Sequence, residues 1–116
     1  MPSDAAIAWA AGLFEGEGTI TQIKRSRAFF DLQVAMTHTD EDVIRRFDAI
    51  VGRGRIYGPY LPPSHGDRRN PFWRWMALGD AGHEVLELLG PWLLARRRAQ
   101  ARRQGVVLDE EAQQQI

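Results

Sequence analysis

The sequence predicts an α+β fold: an αββαββα succession with a four-stranded antiparallel sheet, helices on one face and a concave face left open on the other. Three features predict it. The opening segment is apolar with helical spacing. Two pairs of short runs rich in Thr, Ile, Val and aromatic residues read as hairpins. An amphipathic helical run separates the pairs, and another follows them.

Ser3 is placed to cap the first helix, with Asp4 in the first turn, where a carboxylate meets the positive end of the helix dipole. Ile7, Ala8, Ala11 and Leu13 or Phe14 carry the apolar face as far as Gly16. "GTITQIKR" then reads as a strand, and Ser26–Arg27 as its turn. In "FFDLQVAM", Phe30, Leu32, Val34 and Met36 point one way and Phe29, Asp31, Gln33 and Ala35 the other. Thr39 or Asp40 caps a second helix, whose Val43, Ile44, Phe47, Ile50 and Val51 share a face and which Gly52 ends. "RGRIYGPY" forms the third strand and "LPPSHGDRRN" a turn-rich loop. "PFWRWMAL" is the fourth strand, with Trp73, Trp75 and Ala77 on the face opposite Phe72, Arg74 and Met76. Asp80 caps a closing helical region that Gly90–Pro91 interrupts before the arginine run begins at Arg96. One domain, residues 1–104, is expected, with residues 105–116 as a polar tail.

A chain of 116 residues is long enough for one core, and its 44% hydrophobic content suits a globular protein. It has no apolar run long enough to span a bilayer, so no membrane partner is expected. The absence of cysteine excludes disulfides and thiolate metal sites, which fits an intracellular setting. Fifteen basic residues balance fifteen acidic ones, an argument against tight nonspecific binding to polyanions. All but one of the basic residues are Arg, however, the side chain best suited to forked hydrogen bonds with phosphate or guanine. On the strand assignment above, the open sheet face carries Asp31, Gln33, Arg53, Arg55, Tyr57 and Arg74. Thr21 joins them, and Lys24, Arg25, Arg27, Arg68 and Arg69 add positive charge in adjoining turns. A polar, arginine-bearing sheet is suited to a DNA major groove, which admits β-ribbons.

The stretch "WAAGLFEGEGTI" poses a problem in electrostatics. It ends a helix with Glu15 and Glu17, where unpaired carbonyls already make the helix terminus negative. Residues Ala10–Gly18, "AAGLFEGEG", resemble position by position the signature of the LAGLIDADG homing endonucleases, with Glu in place of both Asp residues. "LQVAMTHTDEDVIRRFDAIVGRGRIY" resembles that family's second strand, helix and third strand, and "PFWRWMALGDAGHEVLELLGPWLLARR" its fourth strand and closing helices.

The resemblance covers the chain to about Arg98 and implies a site-specific double-strand DNA endonuclease. One motif copy implies a homodimer formed through the first helix, where Ala8, Ala11, Gly12 and Glu15 lie at the interface and small side chains allow close approach. The resemblance also implies that Glu17 and the Gly18 carbonyl bind Mg2+ or Mn2+, hard cations that take oxygen ligands. It gives His38 a position near the catalytic water and Arg96 one near the scissile phosphate. Two other readings remain open: a DNA- or RNA-binding maturase or regulator of the same fold, and an unrelated module whose sheet binds protein.

Overall fold

The computed structural model describes residues 1–62 and 70–108. The order is α1 (Asp4–Glu17), β1 (Gly18–Lys24), β2 (Phe30–His38), α2 (Glu41–Val51), β3 (Arg55–Tyr60), β4 (Phe72–Leu78) and α3 (Asp80–Leu89). A 3-10 turn (Gly90–Trp92) leads into α4 (Ala95–Arg103). The two hairpins lie side by side in one antiparallel sheet of order β1-β2-β4-β3, so the second strand of each hairpin is central.

The helix starts follow the short polar side chains. Ser3 Oγ accepts from the Ala6 amide at 3.1 Å, and Asp40 Oδ1 accepts from the Asp42 and Val43 amides. Asp80, expected as a cap, lies instead inside the first turn of α3, behind Gly79. Gly52 ends α2 in the left-handed conformation.

Alternation in the strands sorts the sheet into two faces. Ile20, Val34, Met36, Trp75 and Ala77 are buried beneath the helices. There they meet Ile7, Ala10, Ala11 and Phe14 of α1, Ile44, Phe47 and Val51 of α2, and Val85, Leu86 and Leu89 of α3. Phe47 joins the layers: its ring is stacked with Phe14 at 6.4 Å between centroids and meets Trp75 edge-on at 4.8 Å. The Trp75 indole also donates to the Arg53 carbonyl at 3.1 Å.

Two boundaries move outward. The second strand runs two residues past its expected end at Met36, to His38. Packed chain also extends beyond residue 104, because Val106 is buried and Leu108 rests on the core. The arginine run is only partly a solvated helix face. Arg97 and Arg98 are buried, and Arg98 donates to the Gly90 and Leu108 carbonyls, tying α4 to the chain on both sides of it.

Asp48 of α2 lies close to the core, and burial raises its carboxyl above the ordinary value of 3.8, with the Trp75 indole and Arg45 opposing the rise. A carboxyl raised on folding contributes stability that is fully present below its unfolded pKa and lost as pH rises through its folded one. Asp48→Asn should therefore show a higher urea midpoint than the native chain at pH 7. The gap should close as pH falls below about 3.8, where the native carboxyl is neutral in both states.

Candidate nucleic-acid interface and acidic cleft

The last turn of α1 and the end of β2 meet to form a cleft of about 280 Å3, lined by Glu17, Thr37, His38, Thr39 and Phe72. Glu17 is the last helical residue and is exposed. Gly18 follows at once, and a Cβ there would lie 2.4 Å from the Phe14 ring, so only glycine lets the chain turn into β1 this close to the helix. His38 enters from β2, and its Nδ1 accepts from the Asp40 amide at 2.9 Å. In a neutral imidazole, that bond leaves the proton on Nε2, which makes the free nitrogen a donor. The structure thus brings Glu17 and His38 together, while Gly18, buried next to Glu17 in the chain, is not among the lining residues. Arg96, expected beside them, is exposed in the first turn of α4 and is not among the residues lining the cleft.

The second acid has a separate role. Glu15 Oε1 accepts from the Leu94 amide at 2.7 Å, at the N-terminus of α4, where the helix dipole favours a carboxylate. Arg97 Nε donates to the Glu15 carbonyl at 3.0 Å, and its guanidinium lies 5.9 Å from the centre of the Phe14 ring. Burial, reinforced by Arg96, lowers the Arg97 guanidinium below its ordinary value, and Glu15 opposes that shift. Arg97 and α4 thus supply the positive partner for the end of α1. Consecutive arginines carry no signal in the sequence that would single out Arg97 from Arg96.

This arrangement corrects part of the expected helix seam. Glu15 turns into its own chain, and Ala11 is buried in the core with Ile7, Ala10 and Phe14. Ala8 and Gly12 remain on the outer side of α1. Gly12 is exposed, and a Cβ added to it would meet nothing within 4 Å.

On the open face of the sheet, the pairing sets Thr21 opposite Gln33, Ile23 opposite Asp31, and Arg74 between Thr37 and Tyr57. Arg55 stands opposite Met76 on the same face. Phe72 and Met76 belong to this face because Trp75 and Ala77 occupy the other. Lys24, Arg25 and Arg27 are exposed at the tip of the first hairpin. Arg53, expected on the open face, precedes β3 and is ion-paired with Glu84 of α3, on the helix side. Arg68 and Arg69 lie outside the described residues. None of the described helices is long and apolar enough to cross a membrane.

No protein-family model matches the chain, and no curated sequence matches it. Solved structures do match. The homing endonuclease I-CvuI, determined with a DNA target and magnesium and with the DNA uncleaved, superposes with a TM-score of 0.62 at 20% identity, over 84% of this chain and 62% of that one. The archaeal intron-encoded I-Vdi141I, complexed with DNA, gives 0.59 at 17% identity, over 82% of this chain and 62% of that one. The group I intron-encoded I-CeuI, also with DNA, gives 0.55 at 15% identity, over 86% and 51%. The chain thus spans about six-tenths or less of the length of these neighbours. Its fold is that of the LAGLIDADG homing endonucleases, in agreement with the resemblance carried by Ala10–Gly18.

Arg97→Met should lower unfolding free energy by about 1–3 kcal/mol, because it leaves the Glu15 carbonyl unpaired at a partly buried helix end. Arg96→Met, at an exposed position, should change it by less than about 0.5 kcal/mol. Urea titration of the two variants checks the contrast.

Proposed function

We propose that two copies of this chain form a site-specific double-strand DNA endonuclease that hydrolyses phosphodiester bonds at a near-palindromic site inside the cell. One observation carries the reading: Glu17, the acid of the α1 end that its own chain leaves exposed, shares a cleft with His38 beside an open, arginine-bearing sheet face. The fold is one whose solved neighbours hold DNA.

The donors in the cleft fit a hard divalent cation. Glu17 in the cleft offers carboxylate oxygen, the adjoining Gly18 carbonyl is the further oxygen proposed to join it, and the described residues contain no cluster of three His, Cys, Asp or Glu side chains that would enclose an ion. One carboxylate per chain calls for a second from the partner copy and for oxygens from the substrate. Mg2+ or Mn2+ held there would supply Lewis-acid polarisation of the phosphate and a more acidic attacking water.

The protein's own contributions follow from its bonds. Glu17 supplies negative charge that Arg97 does not neutralise. His38, held through Nδ1, presents an N–H donor to a water or phosphate oxygen, so it orients the nucleophile without removing its proton. Arg96, permanently charged and exposed, can steady phosphate charge but cannot act as a base. Thr21, Gln33, Arg55, Tyr57 and Arg74 face bases, while Lys24, Arg25 and Arg27 reach flanking phosphates, which position the duplex without specifying sequence.

A second reading, a non-catalytic DNA-binding regulator of the same fold, is favoured by the single acid in the cleft. Glu17→Gln separates the two. If the first reading holds, the native chain nicks or cuts duplex DNA with Mg2+, and the variant binds with native affinity but loses at least about a hundredfold in cleavage rate. Salt-dependent binding by both proteins, with no cleavage in Mg2+ or Mn2+, would establish the regulator instead.

The seam has its own test. Two copies of α1 can approach along Ala8 and Gly12, with the Glu17 side chains brought toward the two-fold axis. Gly12→Leu should leave the monomer folded, since the added carbon meets nothing within 4 Å. It should shift sedimentation from dimer to monomer. A dimer that persists in the variant would place the interface elsewhere.

A further inference from the structure

We propose that the cleft between β3 and β4 reads a guanine beside a thymine in the DNA, with Arg74 forked to the guanine and an aromatic–methionine wall packed on the 5-methyl group of the thymine. This rests on the DNA-binding reading above and specifies part of its target. The cleft measures about 410 Å3 and is lined by Tyr57, Tyr60, Phe72, Arg74 and Met76.

A bulge builds it. Tyr57 pairs with Arg74 and Tyr60 with Phe72, so Gly58 and Pro59 of β3 stand against Trp73 alone of β4, and both tyrosines come to the open face. The extra residue falls within Gly58–Pro59, where Gly58 has φ +121° and a Cβ would lie 3.0 Å from the Phe72 carbonyl oxygen. Tyr60 and Phe72 then pack with ring centroids 5.6 Å apart.

Arg74 is the cleft's one charge. It lies between Phe72 and Met76 on β4, with Thr37 and Tyr57 across from it on the neighbouring strands. It has no hydrogen bond or ion pair among the described residues, in contrast to Arg45, Arg53, Arg97 and Arg98. A half-buried, unpaired guanidinium flanked by apolar side chains suits a base edge better than a phosphate. Guanine offers O6 and N7 as two acceptors to a forked donor, and among the four bases only thymine adds a methyl group in the major groove. The same chemistry favours DNA over RNA, because uracil lacks the methyl and the A-form major groove is too narrow for side chains to read.

The test uses the full chain and two random-sequence duplex libraries, one made with thymidine and one with deoxyuridine in its place. Selection from the first should enrich a guanine–thymine step, and Arg74→Ala should flatten the guanine preference. On an enriched duplex, replacing that thymine by deoxyuridine should weaken binding about fourfold. Met76→Ala should bring the two duplexes to equal affinity. Equal affinity of the native chain for both duplexes, with salt-dependent DNA binding intact, would overturn this inference and leave the endonuclease reading standing. Failure to bind either library would overturn both.

Discussion

The structure depends on how the negative end of α1 is held. Two acids follow one another at a helix terminus whose carbonyls already repel them, and the fold resolves the conflict unequally. Glu15 is drawn onto the N-terminus of α4, and Arg97 covers its carbonyl. Gly18 presses its backbone against the Phe14 ring, so the chain leaves the helix without space for any side chain. What remains is Glu17, exposed at a rigid corner where α1, β1 and the end of β2 converge. A carboxylate held in this way is poised to be answered from outside the chain, and the cleft owes its character to that remainder of charge.

The sheet repeats the same division of labour. One face is sealed by Phe47, Trp75 and the aliphatic side chains of three helices, which fixes the strands in register. With register fixed, the opposite face becomes a set array of side chains, and one bulge is enough to turn Tyr60 beside Phe72. The rigid buried face is what allows the open one to be specific.

Much of this was legible in the sequence, because alternation and helical spacing are strong signals over seven to fourteen residues. Trp73, Trp75 and Ala77 fell on the face expected of them, and Glu17 and His38, far apart in the chain, line one cleft. The misses have physical causes. Ala8, Ala11 and Gly12 look alike as small residues, but a helix rotates each residue by about 100° from the last, which sends Ala11 inward and leaves Gly12 out. Consecutive arginines look equivalent, yet only Arg97 and Arg98 face inward, where carbonyls need donors. The bulge at Gly58–Pro59 could not be read from periodicity, since it is a departure from periodicity. Glycine and proline inside a strand pattern were its one trace.

Zero net charge weighs against a nucleic-acid surface only while the charges are summed without regard to place, and the distribution of partners removes the objection. Arg45 pairs with Glu41 and Arg53 with Glu84, while His83 lies 3.0 Å from Glu87, all on the helix side. Arg97 and Arg98 are committed to backbone carbonyls. Glu41 of α2 and Glu84 of α3 are therefore matched where they stand, and the charge they cancel in the total is not cancelled on the open face. There Arg55 and Arg74 keep their donors unengaged among the described residues, and Asp31 turns one oxygen back to the Leu32 amide at 3.1 Å. Local potential, set by charges within about a Debye length of roughly 10 Å, decides what a surface attracts, and a sum over the whole chain does not record it.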